Sequence, residues 1–466
     1  MKKIVVQLVQ DTPMWHFQGA FDDCCLRATE VKPKLDRFLL AKLDKGELSV
    51  NGRALTRRDG VPSTWWANKD TTAFNYKMRI SAQNYQSLPE WKEDDGGKSR
   101  QLYPIYFGKM GPQPPRDMKL ILFDGIKVEL IVFNYDLSEI LFDILPVFFA
   151  SSSFGTRQDK GFGCFRVSSI EMGDRRESDD RCVIVPEGAS YYFTVGRCEY
   201  PQLFNYINYF HKVIRSGVNE PGCYVKSMMY HYAKSKGGVW DKPVIRTNFQ
   251  IFSQIYEYVC GQITYDEMTD EERGLIRRHV SNRSLNHMIE EYESSGNLIE
   301  SKNLYRDALG LATLQEWKSY HKDKIKIAKQ NGENLDYKVR FKSPIDYHPC
   351  YDNNSGGYIV YIILHELSSE ELRNARFTIT DTVWKDSDGI ENLTGMHIAD
   401  AFFRDDVFSV ADYFDFICHN RWRVKRNWPA ERDEERDCID IQPGKENREP
   451  YTLITQVFRT LNKVAK

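Results

Sequence analysis

The 466-residue sequence has no excess charge of either sign: 64 Lys and Arg stand against 66 Asp and Glu, a formal net charge of −2. That excludes a uniformly basic nucleic-acid binder and leaves room for a neutral protein with one basic face. Long apolar runs are absent too. The longest, such as Ile359 to Leu364, fall far short of the roughly 20 residues a spanning helix needs, so no membrane partner is expected. The stretch from Met1 to Gln10 opens like a signal peptide, but Gln7, Gln10 and Asp11 interrupt it and no small-x-small site follows. It reads as a first strand. Cysteine is scarce: of ten, only Cys24 and Cys25 are close together, and no C-x-x-C occurs. A disulfide framework and a zinc site are excluded, and this usage fits a reducing cytoplasm. Neither H-E-x-x-H nor G-x-S-x-G is present, so the motifs assign no metal, cofactor or catalytic residue.

What is present is globular material, 41% hydrophobic and 13% aromatic. The length predicts two large domains at roughly 100–200 residues each. Lys3 to Gln10 is a strand, and Leu35, Phe38 and Leu39 recur at helical spacing after Pro33, which suits a first turn. Thr72 to Ile80 alternates as a strand. Lys119 to Phe123 and Ile126 to Phe133 flank Asp124-Gly125, which predicts a hairpin. Asp136 caps a helix with Leu137, Ile140, Leu141, Ile144 and Leu145 on one face, and Phe165 to Ile170 is a further strand. This is the β-α-β-β-α-β order of a ferredoxin-like, RRM-like α+β domain. The second half echoes that order, with helical spacing in Leu203–Ile214, Phe252–Cys260, Glu271–Tyr292 and Ser301–Gln330. Strands follow at Lys338–Phe341 and Gly357–Leu364, and closing helices at Val410–Phe416 and Tyr451–Val464. The expected division is an N-terminal domain over 1–199 and a divergent one over 200–466, with a helical insertion at about 200–335.

Two segments have the composition of an anion site. Phe154-Gly-Thr-Arg-Gln-Asp-Lys-Gly-Phe-Gly-Cys-Phe165 sets Gly155, Gly161 and Gly163 around Arg157 and Lys160, with Phe162 between the last two glycines. Such glycines let the backbone approach a phosphate, the cations add charge, and an aromatic ring can stack on a base. The loop has neither Gly-Lys-Ser/Thr nor G-x-G-x-x-G, and it follows a helix instead of opening one. Spacing alone leaves phosphate contact and a tight helix-to-strand connection equally open. In Leu26 to Leu40, Arg27, Lys32, Lys34 and Arg37 cluster near a helix start, where a phosphate is favoured, although a solvated amphipathic face has the same pattern. Basic residues interleaved with aromatics recur between 211 and 246, which suits a single-strand groove. The run from Lys318 to Lys342 reads as a solvated helix face.

These segments, taken in order, resemble the RAMP superfamily, the RNA-binding subunits of CRISPR effector complexes. The strand ending in Thr12-Pro13, the basic helix Val31-Lys-Pro-Lys-Leu-Asp-Arg37 and the loop Gly155-Thr-Arg-Gln-Asp-Lys-Gly-Phe-Gly163 carry the resemblance. Tyr305-Arg-Asp-Ala-Leu-Gly-Leu311 and the Ser343-Pro strand, followed by Gly357-Tyr-Ile-Val-Tyr, extend it toward the Cmr1-like subunits of type III-B (Cmr) complexes. Pro33 stands where the family usually has Gly, and Gln158 and Asp159 stand where basic residues are common.

The resemblance implies tandem RRM-like RAMP domains. It implies a non-catalytic cytoplasmic subunit serving antiviral defence, with guide CRISPR RNA, target RNA and other RAMP subunits as partners. RNA contact near the guide 3′ end would fall to Arg157 and Lys160, with Gly155, Gly161, Phe162 and Gly163 shaping the loop. Arg27, Lys32, Lys34 and Arg37 would support it. Some relatives cut RNA with an acid after the first strand, where Asp22 and Asp23 stand, or with a His such as His16. An endonuclease using those residues and a scaffold protein outside CRISPR systems are the two rival expectations.

Overall fold

The computed structural model describes residues 1–16, 26–50, 52–56, 61–68, 70, 72–89, 91–93, 97, 99–104, 119–178, 183–220, 223–236, 265–267, 269–270, 305–310, 315–318, 324–330, 342–366, 376–381, 396–398, 408–421, 439–440 and 448–465. The chain forms two compact units. One comprises Met1–Phe210, Ile345–Leu364 and Glu449–Lys466; the other comprises His211–Pro344 and His365–Arg448.

The first unit is built from β1 (Lys2–Gln10), α1 (Ala28–Asp44), β2 (Tyr76–Ser81), β3 (Asn84–Leu88), β4 (Lys119–Asp124), β5 (Ile126–Val132), α2 (Tyr135–Ser151), β6 (Phe165–Met172), β7 (Arg175–Ser178), β8 (Ala189–Val195), α3 (Tyr200–Arg215), β9 (Ile345–Asp352), β10 (Gly357–Leu364), α4 (Arg448–Thr460) and β11 (Asn462–Lys463). Two of its sheets have one topology. The first runs β7-β6-β1-β5-β2 and the second β11-β8-β10-β9. In each, the fourth strand of a β-α-β-β-α-β unit lies beside the first, and the third lies between first and second. The expected tandem of ferredoxin-like motifs is therefore the architecture, α+β with antiparallel sheets. The second motif is split, because the other unit's residues follow from His211, within α3, and again after β10.

Alternation explains the first sheet. Ile4, Val6 and Leu8 of β1 and Val128, Leu130 and Val132 of β5 are buried, with partly exposed neighbours between them. That period of two puts one apolar face against helices. Leu35 and Leu39 of α1 and Leu137, Leu141 and Leu145 of α2 complete the same core at helical spacing. Asn134, and not Asp136 as expected, caps α2, its side chain accepting from the Leu137 amide, and Asp136 stands in the first turn.

Four further expectations from the sequence need correction. The helix α1 begins at Ala28, where the Arg27 carbonyl accepts from Glu30 and Val31, so Pro33 stands inside it, past the first turn. β4 and β5 are not a hairpin. β2 pairs with β5 and β3 with β4, so 76–88 runs antiparallel to 119–132 as one bent ribbon. Gly125 makes the bend at φ +60°, and a Cβ there would meet the Gln83 side chain at 2.6 Å. Asp-Gly is favoured in hairpins because Gly accepts positive φ, and a bend in a strand uses the same freedom. The closing helix ends at Thr460, and Asn462–Lys463 pairs with β8 as an edge strand.

The fourth correction lies in the second unit. Gln315–Lys318 and Lys324–Gln330 are paired strands, not a helix face, in a sheet with Arg376–Asp381 and Met396–Ile398. Lys324-Ile-Lys-Ile-Ala alternates, and the two β-branched residues in register favour the pleat. Helix Met228–Ser235 packs by Tyr232 against Tyr305 and against Tyr413 of helix Val410–Asn420. The described part of the insertion thus carries strands as well as helices. The expected helices over 252–260 and 271–292 and the strand over 338–341 lie outside the described residues.

Candidate functional site

The Gly-rich loop connects α2 to β6, and the Thr12-Pro13 strand end grips it. Thr12 Oγ1 donates to the Gly161 carbonyl at 2.7 Å and accepts from the Cys164 amide at 3.0 Å. The Gly163 amide donates to the Pro13 carbonyl at 3.0 Å, and the Thr156 amide to that of Trp15 at 3.1 Å. Two motifs far apart in the chain are thus one structural device. Gly163 has φ +71°, and a Cβ there would lie 1.9 Å from the Phe154 carbonyl oxygen, so no larger residue closes this turn.

The loop also joins the first motif to the second. The Tyr347 amide of β9 donates to the Asp159 carbonyl at 3.1 Å. Phe162 is fully buried and stacks on Phe204 of α3, with ring centroids 3.7 Å apart. Its ring offers no face to a base in this arrangement. Lys160 is 4% exposed, with Nζ 3.2 Å from Asp159 Oδ2, so its charge is matched inside the loop. Arg157 takes φ 58° and lays its guanidinium over the Trp15 ring, 4.9 Å from the centroid. The Gly155 amide donates to Glu30 Oε1 at 2.8 Å, tying the loop to α1.

The cations of α1 divide in two. Lys32 donates to Asp36 at 2.8 Å and to the Phe74 carbonyl at 3.0 Å, and Tyr76 completes the cluster by donating to Asp36. Lys34 donates to the Ser153 carbonyl and to Gln158 Oε1, both at 2.6 Å, and sits over the Phe154 ring. Burial lowers the Lys34 ammonium below its ordinary value, Glu30 opposes that shift and Arg37 adds to it. Arg27 and Arg37 are exposed, and neither has an ion-pair partner among the described residues.

Beside Lys34 and Arg37 opens a cleft of about 340 Å³. Phe38, the Ser151–Ser153 end of α2, Gln158 and the β9 residues Asp346, Tyr347 and His348 line it, with Ile363 of β10. His348 is buried, its Nδ1 3.2 Å from Ser153 Oγ and 3.6 Å from Cys164 Sγ, while its Nε2 has no hydrogen-bond partner among the described residues. Burial lowers its pKa to about 4 against the pull of Asp346, so the ring is neutral near pH 7. Behind the loop, burial pushes the Asp11 carboxyl up to about 7 even though Arg166 Nε lies 2.9 Å from it, and the Cys164 thiol to about 12. Sequence reasoning missed Ser153, Asp346 and His348, because they meet only after a strand far along the chain folds against the loop. The Asp346-x-His348 alternation on an apolar strand is the one signal of two polar residues there.

Within the second unit, the basic stretch is largely engaged. Lys212 pairs with Glu220 at 2.7 Å, Arg215 donates to the Gly310 carbonyl, and Lys226 lies over Tyr230. Asp22 and Asp23 lie outside the described residues. His16 closes a short strand paired with Lys119. Among the described residues no helix is long and apolar enough to cross a membrane.

Two split-βαβ sheets in tandem, a Gly-rich loop after the second helix and a Thr-Pro strand end that holds it define a RAMP-type protein. Residues 1–218 match the Cmr1 N-terminal domain and residues 224–427 the Cmr1 C-terminal domain. The chain therefore belongs to the Cmr1 family and is a subunit of the type III-B CRISPR effector class. No curated protein sequence matches it.

Proposed function

We propose that this subunit holds RNA without cutting it, contacting guide or target RNA near the guide 3′ end beside other RAMP subunits in the cytoplasm. The observation that carries this reading is the placement of the α1 cations. Arg27 and Arg37 are exposed, and Arg37 and Lys34 flank a polar cleft beside the Gly-rich loop. Exposed guanidinium groups on one helix suit phosphates, and a near-neutral chain leaves the remaining surface for protein partners. Of the loop's own residues, Arg157 stays a candidate contact, whereas Lys160 and Phe162 serve this reading as internal supports.

Fluorescence anisotropy with labelled single-stranded RNA over a salt series tests it, with the chain alone and assembled with its partner subunits. Arg27→Glu/Arg37→Glu is expected to weaken binding and to flatten the slope of log K against log salt by about 1 for each phosphate no longer neutralised. Equal binding by wild type and variant would overturn the assignment to α1. RNA cleavage in divalent metal that Asp22→Ala/Asp23→Ala abolishes would overturn the non-catalytic part.

A further inference from the structure

The cleft between α1, the Gly-rich loop and the β9-β10 hairpin differs chemically from end to end. Lys34 and Arg37 supply positive charge on one side. Phe38 and Ile363 give apolar wall, and Asp346 and His348 of β9 give a polar one. Two observations at His348 bear on the polar wall. His348 Nε2 is buried and, among the described residues, has no hydrogen-bond partner, which is costly in a folded protein unless a partner arrives. Its Nδ1 is meanwhile held by Ser153, which fixes the ring in place. The volume of about 340 Å³ lies at the low end of the roughly 300–1,000 Å³ typical of small-ligand clefts. It suits one small unit, not a run of stacked bases. A ligand with an anionic group, a flat apolar body and a hydrogen-bonding edge matches these walls.

We propose that this cleft receives a single unpaired ribonucleotide of a bound strand, its phosphate at Arg37, its base between Phe38 and Ile363 with its edge toward Asp346 and His348. The proposal rests on the RNA reading above and adds to it a pocket that takes one nucleotide out of the strand. Backbone contacts along α1 then set position, and the pocket sets register.

The test uses the full chain and adenosine 5′-monophosphate as the probe, followed by saturation-transfer NMR and calorimetry, with inorganic phosphate and adenosine as comparison ligands. The wild type is expected to bind the mononucleotide saturably and more tightly than either part. Arg37→Ala changes an exposed residue and leaves the fold intact. It is expected to weaken the mononucleotide roughly tenfold, the scale of one charge-assisted hydrogen bond, and to leave adenosine unchanged. Ile363→Trp fills the cleft and is expected to abolish binding of both. RNA anisotropy is measured on the same proteins. Inorganic phosphate binding as tightly as the mononucleotide would reduce the cleft to an anion site and overturn the proposal. So would Arg37→Ala weakening adenosine as much as the mononucleotide. Ile363→Trp binding RNA like wild type would overturn the pocket and leave the RNA reading standing. A wild type that takes the mononucleotide and no RNA, alone or assembled, would sink the RNA reading and with it the claim that the cleft serves a strand.

Discussion

Phe162 and Phe204 stack almost face to face, their ring centroids 3.7 Å apart and their planes 7° apart. Trp15 and Tyr103 tilt against Phe162 at 6.1 and 6.3 Å. Near-parallel rings gain little from their quadrupoles, so the contact is stabilised chiefly by burial and dispersion. Phe162→Ala is expected to cost about 3–5 kcal/mol, the range for emptying a packed aromatic site. Urea unfolding reads this, and Phe204→Ala in the same protein should add less than its own single effect, since both variants empty one cavity. A cost well below about 1 kcal/mol would mean that the ring is displaceable and free to leave the core for a base.

The turn at Gly163 gives a sharper test. Its Cβ position lies 1.9 Å from backbone oxygen, and backbone cannot swing aside as a side chain can. Gly163→Ala is expected to disrupt the loop's native structure, seen as early proteolytic cutting between α2 and β6. A variant as resistant to protease as the wild type would contradict the close approach of the Phe154 carbonyl to Gly163.

Much of this is legible in the sequence, for physical reasons. The period of two in β1 and β5 and the helical spacing of α2 reveal the first motif, because one face of each element must be buried. Thr12-Pro13 and the glycines at 155, 161 and 163 mark the loop. What the loop's side chains do is not legible. A Lys and a Phe between glycines have the composition of a phosphate site whether they face water or the second motif. Only the fold of residues distant in the chain decides that, and it places Lys160 beside Asp159 and Phe162 on Phe204. Asp124-Gly125 misleads for a related reason: positive φ serves a hairpin turn and a strand bend equally. Lys324 to Gln330 passes for a helix face because its charges mask the alternation of Ile325 and Ile327.

His348 makes stability depend on pH in a defined direction. Its folded pKa of about 4 lies below the ordinary value of 6.5. A lowered histidine contributes stability that is fully present above the unfolded value and is lost as pH falls through the folded one. Asp11, raised from 3.8 to about 7, acts oppositely: its contribution is present at low pH and is lost as pH rises toward 7. The two offset each other between pH 4 and 6.5, so the wild-type profile alone hides both. The difference between wild type and His348→Gln isolates the first. The wild-type advantage should shrink by up to about 3 kcal/mol between pH 7 and 4, read from urea midpoints. A pH-independent difference would show that the ring is not desolvated.

Lys34 and Arg37 stand one turn apart on α1, yet the structure gives them different work. Lys34 is held by the Ser153 carbonyl, Gln158 and the Phe154 ring, and its side chain is 22% exposed. Removing its charge strands two acceptors at the loop, so Lys34→Met is expected to lower stability by about 2 kcal/mol, the scale of a charge-assisted hydrogen bond. Arg37 touches no ion-pair partner among the described residues. Arg37→Glu should therefore leave the unfolding free energy within about 0.5 kcal/mol of wild type while weakening RNA binding. Thermal unfolding and anisotropy on the same two proteins separate the roles. If Arg37→Glu destabilises the fold and Lys34→Met does not, the division of the α1 cations into loop support and exposed contact is reversed. Arg37 would then be the structural cation, and the RNA contact on α1 would have to be sought at Lys34.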